Sequence, residues 1–288
     1  MKNDKIGWMT TITVLLFAGV AGAAVWRAER ARSIEVMLGS AAEPPMKEIC
    51  ALFARETGID VSAHYGGSGA LLAQIEVARR GDVYFPGSSD FMDKAVAKRL
   101  VRSQDPSVVV YLVPAITVQK GNPKGIHGLK DLARSDVRVG IGRPEAVCVG
   151  LYGVQVLESQ GLLEAVRPRI VTEAESCEKT ATIVSLGLVD ASMGWRDFGY
   201  WDRSHLETVL LPPQQVTRIA TMTAAPTIYA RDVSAARKFV AFLTGEEARA
   251  IFRKWGYLPT LEEARRFATP ETPVGGSVPL PKAWRDTR

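Results

Sequence analysis

The alternation of strand-like and helix-like segments is the feature of this sequence that most constrains its fold. Short apolar runs, such as residues 34–39 and 137–142, are followed by turns and then by segments in which apolar residues recur every three or four positions. Strands that alternate with helices are typical of α/β proteins. Because 288 residues, 47% of them hydrophobic, suffice for two cores, the pattern predicts two α/β lobes joined by crossing segments.

The most informative turn of this kind lies at residues 66–69. Here Gly66, Gly67, Ser68 and Gly69 stand between a predicted strand and a predicted helix. The first N–H groups of a helix are unpaired and lie at the positive end of its dipole, so such a turn suits an anion. Two interpretations of Ser68 remain open: it caps the helix, as serine commonly does, or it contacts a ligand.

Charge and residue usage exclude several classes of function. The formal net charge is +5, but basic residues are interspersed with acidic ones and form no runs, so no nucleic-acid partner is indicated. The three histidines are scattered and no Cys-x-x-Cys motif occurs. We therefore predict no dedicated metal site, no catalytic residue and no cofactor. The sequence favours a binding protein over an enzyme.

The N-terminal segment, residues 1–26, indicates export. Lys2 and Lys5 precede a long apolar run that ends in small residues. This pattern is typical of a secretory signal peptide cleaved after Ala23 or Ala24, and the run is also long enough to remain as a membrane anchor. Both alternatives place the rest of the chain in the periplasm or at the extracytoplasmic face of the membrane.

The remaining chain divides into four parts. We expect residues 34–117 to form the first part of one lobe and residues 118–219 to form the second lobe. Residues 220–260 then return to the first lobe. Residues 261–288 are rich in proline and glycine, and we predict that they form a loose C-terminal extension.

Several segments resemble, in their order and spacing, the extracytoplasmic molybdate- and tungstate-binding proteins of ABC importers. The resemblance covers about residues 34–257. It is carried by residues 53–61, 65–76, 81–84, 92–93, 120–123, 139–147 and 242–257.

This resemblance implies a two-lobed, type II periplasmic-binding-protein-like fold that closes on a tetrahedral oxyanion in a central cleft. It also implies delivery of that oxyanion to an ABC permease in the membrane, by a protein that we expect to be a monomer. Molybdate, tungstate, sulfate, phosphate and organic anions all remain open as ligands, and no other metal is implied. Carried over position by position, the family's anion contacts fall on Ser40, Ala41, Ser68, Val149, Cys177 and Trp195.

Some of these positions depart from the family's pattern. Trp195 stands where the family has a tyrosine that donates its hydroxyl, and an indole N–H can replace that donor.

Under the same alignment, Cys148 and Cys177 both begin helices that point at the ligand. Three interpretations of the pair remain open: a disulfide, two free thiols in the cleft, or a soft-ligand site. Arg143 and Arg196 flank these segments, and each either pairs with the anion or forms surface salt bridges.

An alternative function uses the same scaffold. The chain is then a membrane-anchored sensor or binding protein for a different anion or an organic ligand. Retention of residues 6–26 as an anchor favours this alternative, because delivery of a solute does not require a transmembrane helix.

Overall fold

The computed structural model describes residues 33–102, 104, 106–277 and 279–285. The predicted signal segment, residues 1–26, lies outside these ranges. Within them, no helix is both long enough and apolar enough to span a membrane.

Ten strands of the described chain form two five-stranded sheets with the same arrangement. The first sheet contains β1 (Ser33–Gly39), β2 (Asp60–Gly66), β3 (Val83–Phe85), β4 (Ser107–Leu112) and β10 (Ala220–Pro226). Its order is β2-β1-β3-β10-β4; β1 is parallel to β2 and β3, and β10 is antiparallel to both its neighbours. The second sheet contains β5 (Pro114–Gln119), β6 (Val139–Gly142), β7 (Ile170–Ala174), β8 (Ala191–Trp195) and β9 (Leu206–Leu210). Its order is β7-β6-β8-β5-β9, with β6 parallel to β7 and β8 and β5 antiparallel to both its neighbours.

Helices follow most strands, so the predicted α/β class with two lobes is confirmed. Each sheet together with its helices is called a lobe below. In chain order the helices are α1 (Glu43–Thr57), α2 (Ser68–Ala78), α3 (Ser89–Ala97), α4 (Cys148–Ser159), α5 (Leu163–Val166), α6 (Cys177–Ser185), α7 (Phe198–Trp201), α8 (Val233–Leu243), α9 (Glu246–Lys254), α10 (Leu261–Arg265) and α11 (Lys282–Arg285).

Strand β1 and helix α1 show why these residues form these elements. Every residue of β1 after Ser33 is buried, as expected for a central strand covered on both faces. In α1, the buried residues Met46, Ile49 and Phe53 recur at intervals of three and four and form one apolar face. The helix ends at Gly58, whose φ of 67° lies in the left-handed region that glycine adopts without strain.

The chain crosses from the first lobe to the second at Val113, between β4 and β5. The predicted crossing after residue 117 is therefore placed too late, because β5 pairs with β8 and β9 of the second sheet. Residues 107–119 form one nearly continuous apolar run that is rich in β-branched residues on both sides of Pro114. Such a run predicts strand structure but does not reveal a change of sheet. The chain returns to the first sheet at Ala220.

The prediction of a loose C-terminal extension is wrong for the described residues beyond 260. Ala264, Ala268 and Trp284 are buried in the core of the second lobe. The carbonyl of Gly276 accepts a hydrogen bond from the Ser89 hydroxyl of the first lobe, at 3.1 Å. The segment thus packs on one lobe and contacts the other. Its buried residues are widely spaced among prolines and glycines, so they produce no periodic pattern in the sequence.

We expect Trp284→Ala to lower the free energy of unfolding by about 3 kcal/mol, since it removes a large indole from a packed site. The Trp284 ring is 4% exposed, and the Arg167 guanidinium lies 4.9 Å from its centre. Denaturant unfolding measures the change. Leu261→Ala is the matched control in the same segment, because Leu261 is 37% exposed and its loss should cost less than about 0.5 kcal/mol. Equal effects of the two substitutions would contradict the packed arrangement.

Candidate functional site

Three helix N-termini from the two lobes meet across the cleft. Helix α2 begins at Ser68 after β2, in the first lobe, whereas α4 begins at Cys148 after β6 and α6 at Cys177 after β7, in the second. The N–H of Gly69 in α2 donates to the carbonyl of Ala146, just before α4, at 3.1 Å. The lobes are therefore in direct contact where the carboxyl ends of their strands face each other, which is the usual position of ligands in such sheets.

Ser68 is the first residue of α2 and does not cap it. Gly67 occupies the N-cap position, and no side chain caps the helix. The Ser68 hydroxyl instead accepts a hydrogen bond from the N–H of Gly87, at 3.0 Å, and the Tyr84 hydroxyl donates to the Ser68 carbonyl, at 2.8 Å. The capping interpretation is wrong, and contact between Ser68 and a ligand stays a prediction.

Ser40 and Ala41 lie in a short 3-10 turn directly after β1. The Ser40 hydroxyl accepts a hydrogen bond from the N–H of Cys177 at 3.1 Å and a longer one from the N–H of Glu178 at 3.4 Å. A first-lobe hydroxyl thereby satisfies the N-terminus of a second-lobe helix. The carbonyl of Ala41 accepts from the buried Tyr257 hydroxyl at 2.6 Å, which fixes the turn in place.

Gly87, in the loop after β3, is a site residue that the sequence analysis missed. A β-carbon at this position would lie 2.5 Å from the Cys148 sulfur and 2.9 Å from the β-carbon of Ala41, so only glycine fits. The sequence does contain a pattern that could have identified Gly87. Residues 86–89 (Pro-Gly-Ser-Ser) form a small, polar strand-to-helix turn like residues 66–69.

Cys148 and Cys177 are free thiols whose sulfurs lie 3.4 Å apart. They are 1% and 2% exposed. Burial raises the pKa of the Cys148 thiol well above its usual value, and the neighbouring Cys177 raises it further. Trp195 and the N–H of Val149 act in the opposite direction, but burial dominates. Cys148 is therefore a neutral thiol in this arrangement, able to donate a weak hydrogen bond.

Trp195 lies at the end of β8 and is fully buried. Its ring packs edge-on against Tyr152, with the ring centres 5.0 Å apart. The indole Nε1–H makes no hydrogen bond of normal geometry to the described residues, although it lies near enough to the Cys148 thiol to lower that thiol's pKa. A buried donor without a well-aligned acceptor is uncommon in folded proteins.

Val149 contributes only its backbone to this region. Its N–H points to the Cys148 sulfur, whereas its side chain packs towards Gly142 at the end of β6. The predicted position thus lies at the site, at the second residue of α4.

The two flanking arginines do not contribute charge to the helix N-termini. Arg196 donates to the carbonyl of Gly256, and its guanidinium lies 4.4 Å from the centre of the Phe267 ring. It therefore ties the second lobe to the residues that follow α9. Arg143 is exposed, and its backbone N–H bonds to Ala174 at 2.7 Å. The buried side chains that meet at the helix ends are hydroxyls, thiols and an indole, all uncharged.

A pocket of about 280 Å³ opens to solvent beside these helix ends, between Ser40 and Gly67 of the first lobe and the start of α6. Three carboxylates and one ammonium group line it, those of Glu43, Glu175, Glu178 and Lys179. Lys179 binds Glu175 at 2.7 Å, Lys47 binds Glu43 at 3.0 Å, and Glu178 accepts a hydrogen bond from the Thr182 hydroxyl at 3.0 Å. The mouth of the pocket is therefore acidic, whereas the buried groups behind it are neutral.

A buried carboxyl lies behind the site, on Asp197. Burial raises its pKa to about 7, although its own backbone, Arg196, Tyr257 and Trp201 all act to lower it. Because the folded-state pKa is above the usual 3.8, the folded protein binds this proton more tightly than the unfolded chain does. The contribution of Asp197 to stability is therefore greatest at low pH and is lost as the pH rises through about 7.

We expect Asp197→Asn to reduce the loss of thermal stability between pH 5 and pH 8, since the amide cannot ionise. Melting curves across that range measure the change. Asp202→Asn is the control. Burial raises the pKa of Asp202, but hydrogen bonds from His205, Ser204 and Ser185 outweigh it and lower that pKa to about 2. The contribution of Asp202 to stability is therefore lost only below pH 5, outside the range tested. A pH dependence that survives Asp197→Asn unchanged would contradict the assignment.

Comparison with known proteins gives the family. Residues 34–258 match the bacterial extracellular solute-binding proteins. The molybdate-binding protein ModA of Rhodobacter capsulatus is 25% identical over 215 residues, which cover 74% of this chain and 83% of that protein.

Solved structures agree on the fold. The periplasmic molybdate-binding protein of Azotobacter vinelandii superimposes with a TM-score of 0.69 at 21% identity, over 78% of this chain and 98% of that one. The sulfate-binding protein SubI of Mycobacterium tuberculosis H37Rv superimposes with a TM-score of 0.73 at 16% identity, over 84% of this chain and 93% of that one. The fold is thus the two-lobed, periplasmic-binding-protein-like α/β fold. From the match over residues 34–258, the chain belongs to the bacterial extracellular solute-binding protein family.

Proposed function

We propose that this protein captures a small tetrahedral oxyanion of the molybdate or tungstate type between its lobes and delivers it to the membrane permease of an ABC importer. It acts outside the cytoplasmic membrane, as a binding protein and not as an enzyme. The observation that carries the proposal is the meeting of three helix N-termini from both lobes beside two serine hydroxyls and an unpaired buried indole N–H.

The electrostatics of this arrangement favour an anion. Each helix N-terminus carries roughly half a positive charge, together with N–H groups that the helix itself cannot pair. Three such ends, with neutral donors between them, bind an anion without a buried lysine or arginine. A tetrahedral oxyanion presents acceptors in four directions, which matches donors that converge from two lobes.

Closure of the lobes is part of the proposed mechanism. Ser40 and Ser68 belong to the first lobe, whereas Cys148, Cys177 and Trp195 belong to the second. An anion held by both sets stabilises the closed form over the open one, as in hinge closure around a ligand. The relatives whose names specify molybdate and sulfate support the ligand class, and the departures at Cys148, Cys177 and Trp195 leave the particular anion to experiment.

We expect one oxyanion from a panel of molybdate, tungstate, sulfate, thiosulfate and phosphate to bind in a one-to-one complex. Trp195→Phe keeps an aromatic ring but removes the N–H, and should weaken binding about tenfold, the usual worth of one hydrogen bond. Ser68→Ala should weaken it similarly. Calorimetric titration, after removal of any ligand carried through purification, gives the affinities.

Trp255→Phe is the matched control, because the Trp255 indole N–H binds Glu48 at 2.8 Å on α1 and does not face the helix ends. Its affinity should equal that of the wild type. Binding of no oxyanion in the panel would contradict the proposal and favour the organic-ligand or sensor alternative. Equal losses of affinity in the Trp195→Phe and Trp255→Phe variants would show that the Trp195 N–H does not bind the anion.

We expect Gly87→Ala to weaken binding by roughly ten- to hundredfold, because the added methyl group would lie 2.5 Å from the Cys148 sulfur of the opposite lobe and so hinder closure. Gly128→Ala is the control: a methyl group there has no neighbour within 4 Å, and its φ of −174° suits any residue. Titration with the oxyanion identified above measures both. An unchanged affinity in Gly87→Ala would show that the lobes do not close on this loop.

A further inference from the structure

We propose that Cys148 and Cys177 form a reversible disulfide inside the cleft and that this bond weakens capture of the oxyanion. Formation of the bond follows from the arrangement of the two thiols alone. Its effect on binding rests on the proposed function. The two parts are therefore tested by separate measurements.

The two sulfurs are already in contact. They lie 3.4 Å apart, and a disulfide bond is about 2.05 Å long, so bond formation requires an approach of only about 1.4 Å. Both residues begin helices of the second lobe, α4 and α6, and both helices pack against β6 and β8. The bond therefore forms within one lobe and does not depend on how the two lobes are placed.

The access of an oxidant to the thiols, in contrast, depends on whether the two lobes are together or apart. The first lobe covers both residues: Gly87 packs directly on the Cys148 sulfur, and the Ser40 hydroxyl holds the N–H of Cys177. An oxidant reaches the pair only after the lobes part. An anion that holds the lobes together consequently protects the thiols, and the open, unliganded protein is the form that oxidises.

The chemistry is thiol–disulfide exchange with a small-molecule or protein disulfide as the oxidant. The thiolate of Cys148 attacks one sulfur of that disulfide, forms a mixed disulfide and releases the first thiol. Cys177 then loses its proton, attacks the Cys148 sulfur and releases the second thiol. Two electrons pass to the oxidant and two protons leave the cysteines, so the step balances.

Cys148 is able to act as the first nucleophile once the lobes part. The burial that keeps it protonated is then relieved, whereas the N–H of Val149, the α4 N-terminus and Trp195 still support its thiolate. An extracellular location, which the family implies, is compatible with a disulfide, because disulfides persist outside the cytoplasm. Cys50, on α1 of the first lobe, lacks such support, and burial raises its pKa to about 12.

The bond changes the site in two ways. It removes both S–H groups, of which one donates to the other sulfur in the reduced pair and one is left for the helix ends. It also draws the first residues of α4 and α6 together, which displaces the Cys177 N–H that donates to the Ser40 hydroxyl. The loss of one thiol donor together with this displacement corresponds to an affinity about tenfold lower in the oxidised form.

The test uses the full chain carrying Cys50→Ala, which leaves the pair as its only thiols. The protein is incubated with oxidised glutathione, either without anion or with a saturating concentration of the bound oxyanion. Free thiols are counted in the denatured, unreduced protein, and the intact mass is measured. Oxyanion affinity is then titrated before oxidation, after oxidation and after re-reduction with dithiothreitol.

We expect no free thiol, a mass lower by two hydrogens and about tenfold weaker binding after oxidation without anion, all reversed by dithiothreitol. Saturating anion should slow the oxidation. Two remaining free thiols, or glutathione attached to both cysteines, would overturn the disulfide. A disulfide with unchanged affinity would overturn its effect on capture.

Two further outcomes distinguish a failure of the disulfide proposal from a failure of the proposed oxyanion capture. If the reduced protein binds no oxyanion, the proposed function fails, while the thiol count still decides whether the disulfide forms. The double variant with Cys50→Ala and Cys148→Ala retains one thiol and cannot form the disulfide, so molecules whose intact mass shows no attached glutathione must have the same affinity before and after the treatment. A change in that variant would assign the effect to something other than the disulfide.

Discussion

The unpaired N–H groups at the ends of α2, α4 and α6 are the constraint on which the rest of this structure depends. A helix cannot satisfy its first N–H groups internally, and a buried end without acceptors is costly. Two of the acceptors lie in the opposite lobe: the Ser40 hydroxyl serves the Cys177 N–H of α6, and the carbonyl of Ala146 serves the Gly69 N–H of α2. Ser176 caps α6 from within its own lobe by accepting from the Lys179 N–H at 3.1 Å. Contact between the lobes therefore completes the capping of α2 and α6. The loops after β1 and β3 are built largely from small residues, because larger ones would keep the helix ends apart.

The uncharged character of the site follows from the same constraint. A buried lysine or arginine would cost several kcal/mol in lost hydration whenever the cleft closed without an anion. Helix ends, hydroxyls, thiols and an indole carry their polarity permanently and lose far less hydration on closure. The nearby Arg196 is instead engaged with Phe267 and Gly256. Under the proposed function, a site of this kind selects its anion by size and by the directions of its donors more than by total charge.

The sequence allows the fold class and part of the site to be predicted, for physical reasons that differ between residues. The turn at residues 66–69 is recognisable because its pattern, a strand followed by glycines and then a helix, is contiguous in the sequence. Gly87 carries the same signal in a shorter form. Tyr257 and Asp197 carry none, because their roles depend on contacts between segments far apart in the chain, such as the bond from Tyr257 to Ala41. The crossing at Val113 is hidden for a different reason, since strand patterning is the same on either side of it.

One buried ion pair links the two lobes beside the segment on which the chain returns to the first sheet. Arg218 lies in that segment and binds Asp90 of α3 at 2.9 Å. The same guanidinium donates to Gln155 of α4 at 3.2 Å and lies 4.1 Å from the centre of the Tyr152 ring. Helices of both lobes are thus held by one side chain, and breaking a buried pair of this kind costs about 3 to 5 kcal/mol. Since Tyr152 also packs on Trp195, with ring centres 5.0 Å apart, the Arg218 guanidinium and the indole donor contact the same ring. The charge that links the lobes and the uncharged donor of the candidate site are therefore separated by one aromatic side chain.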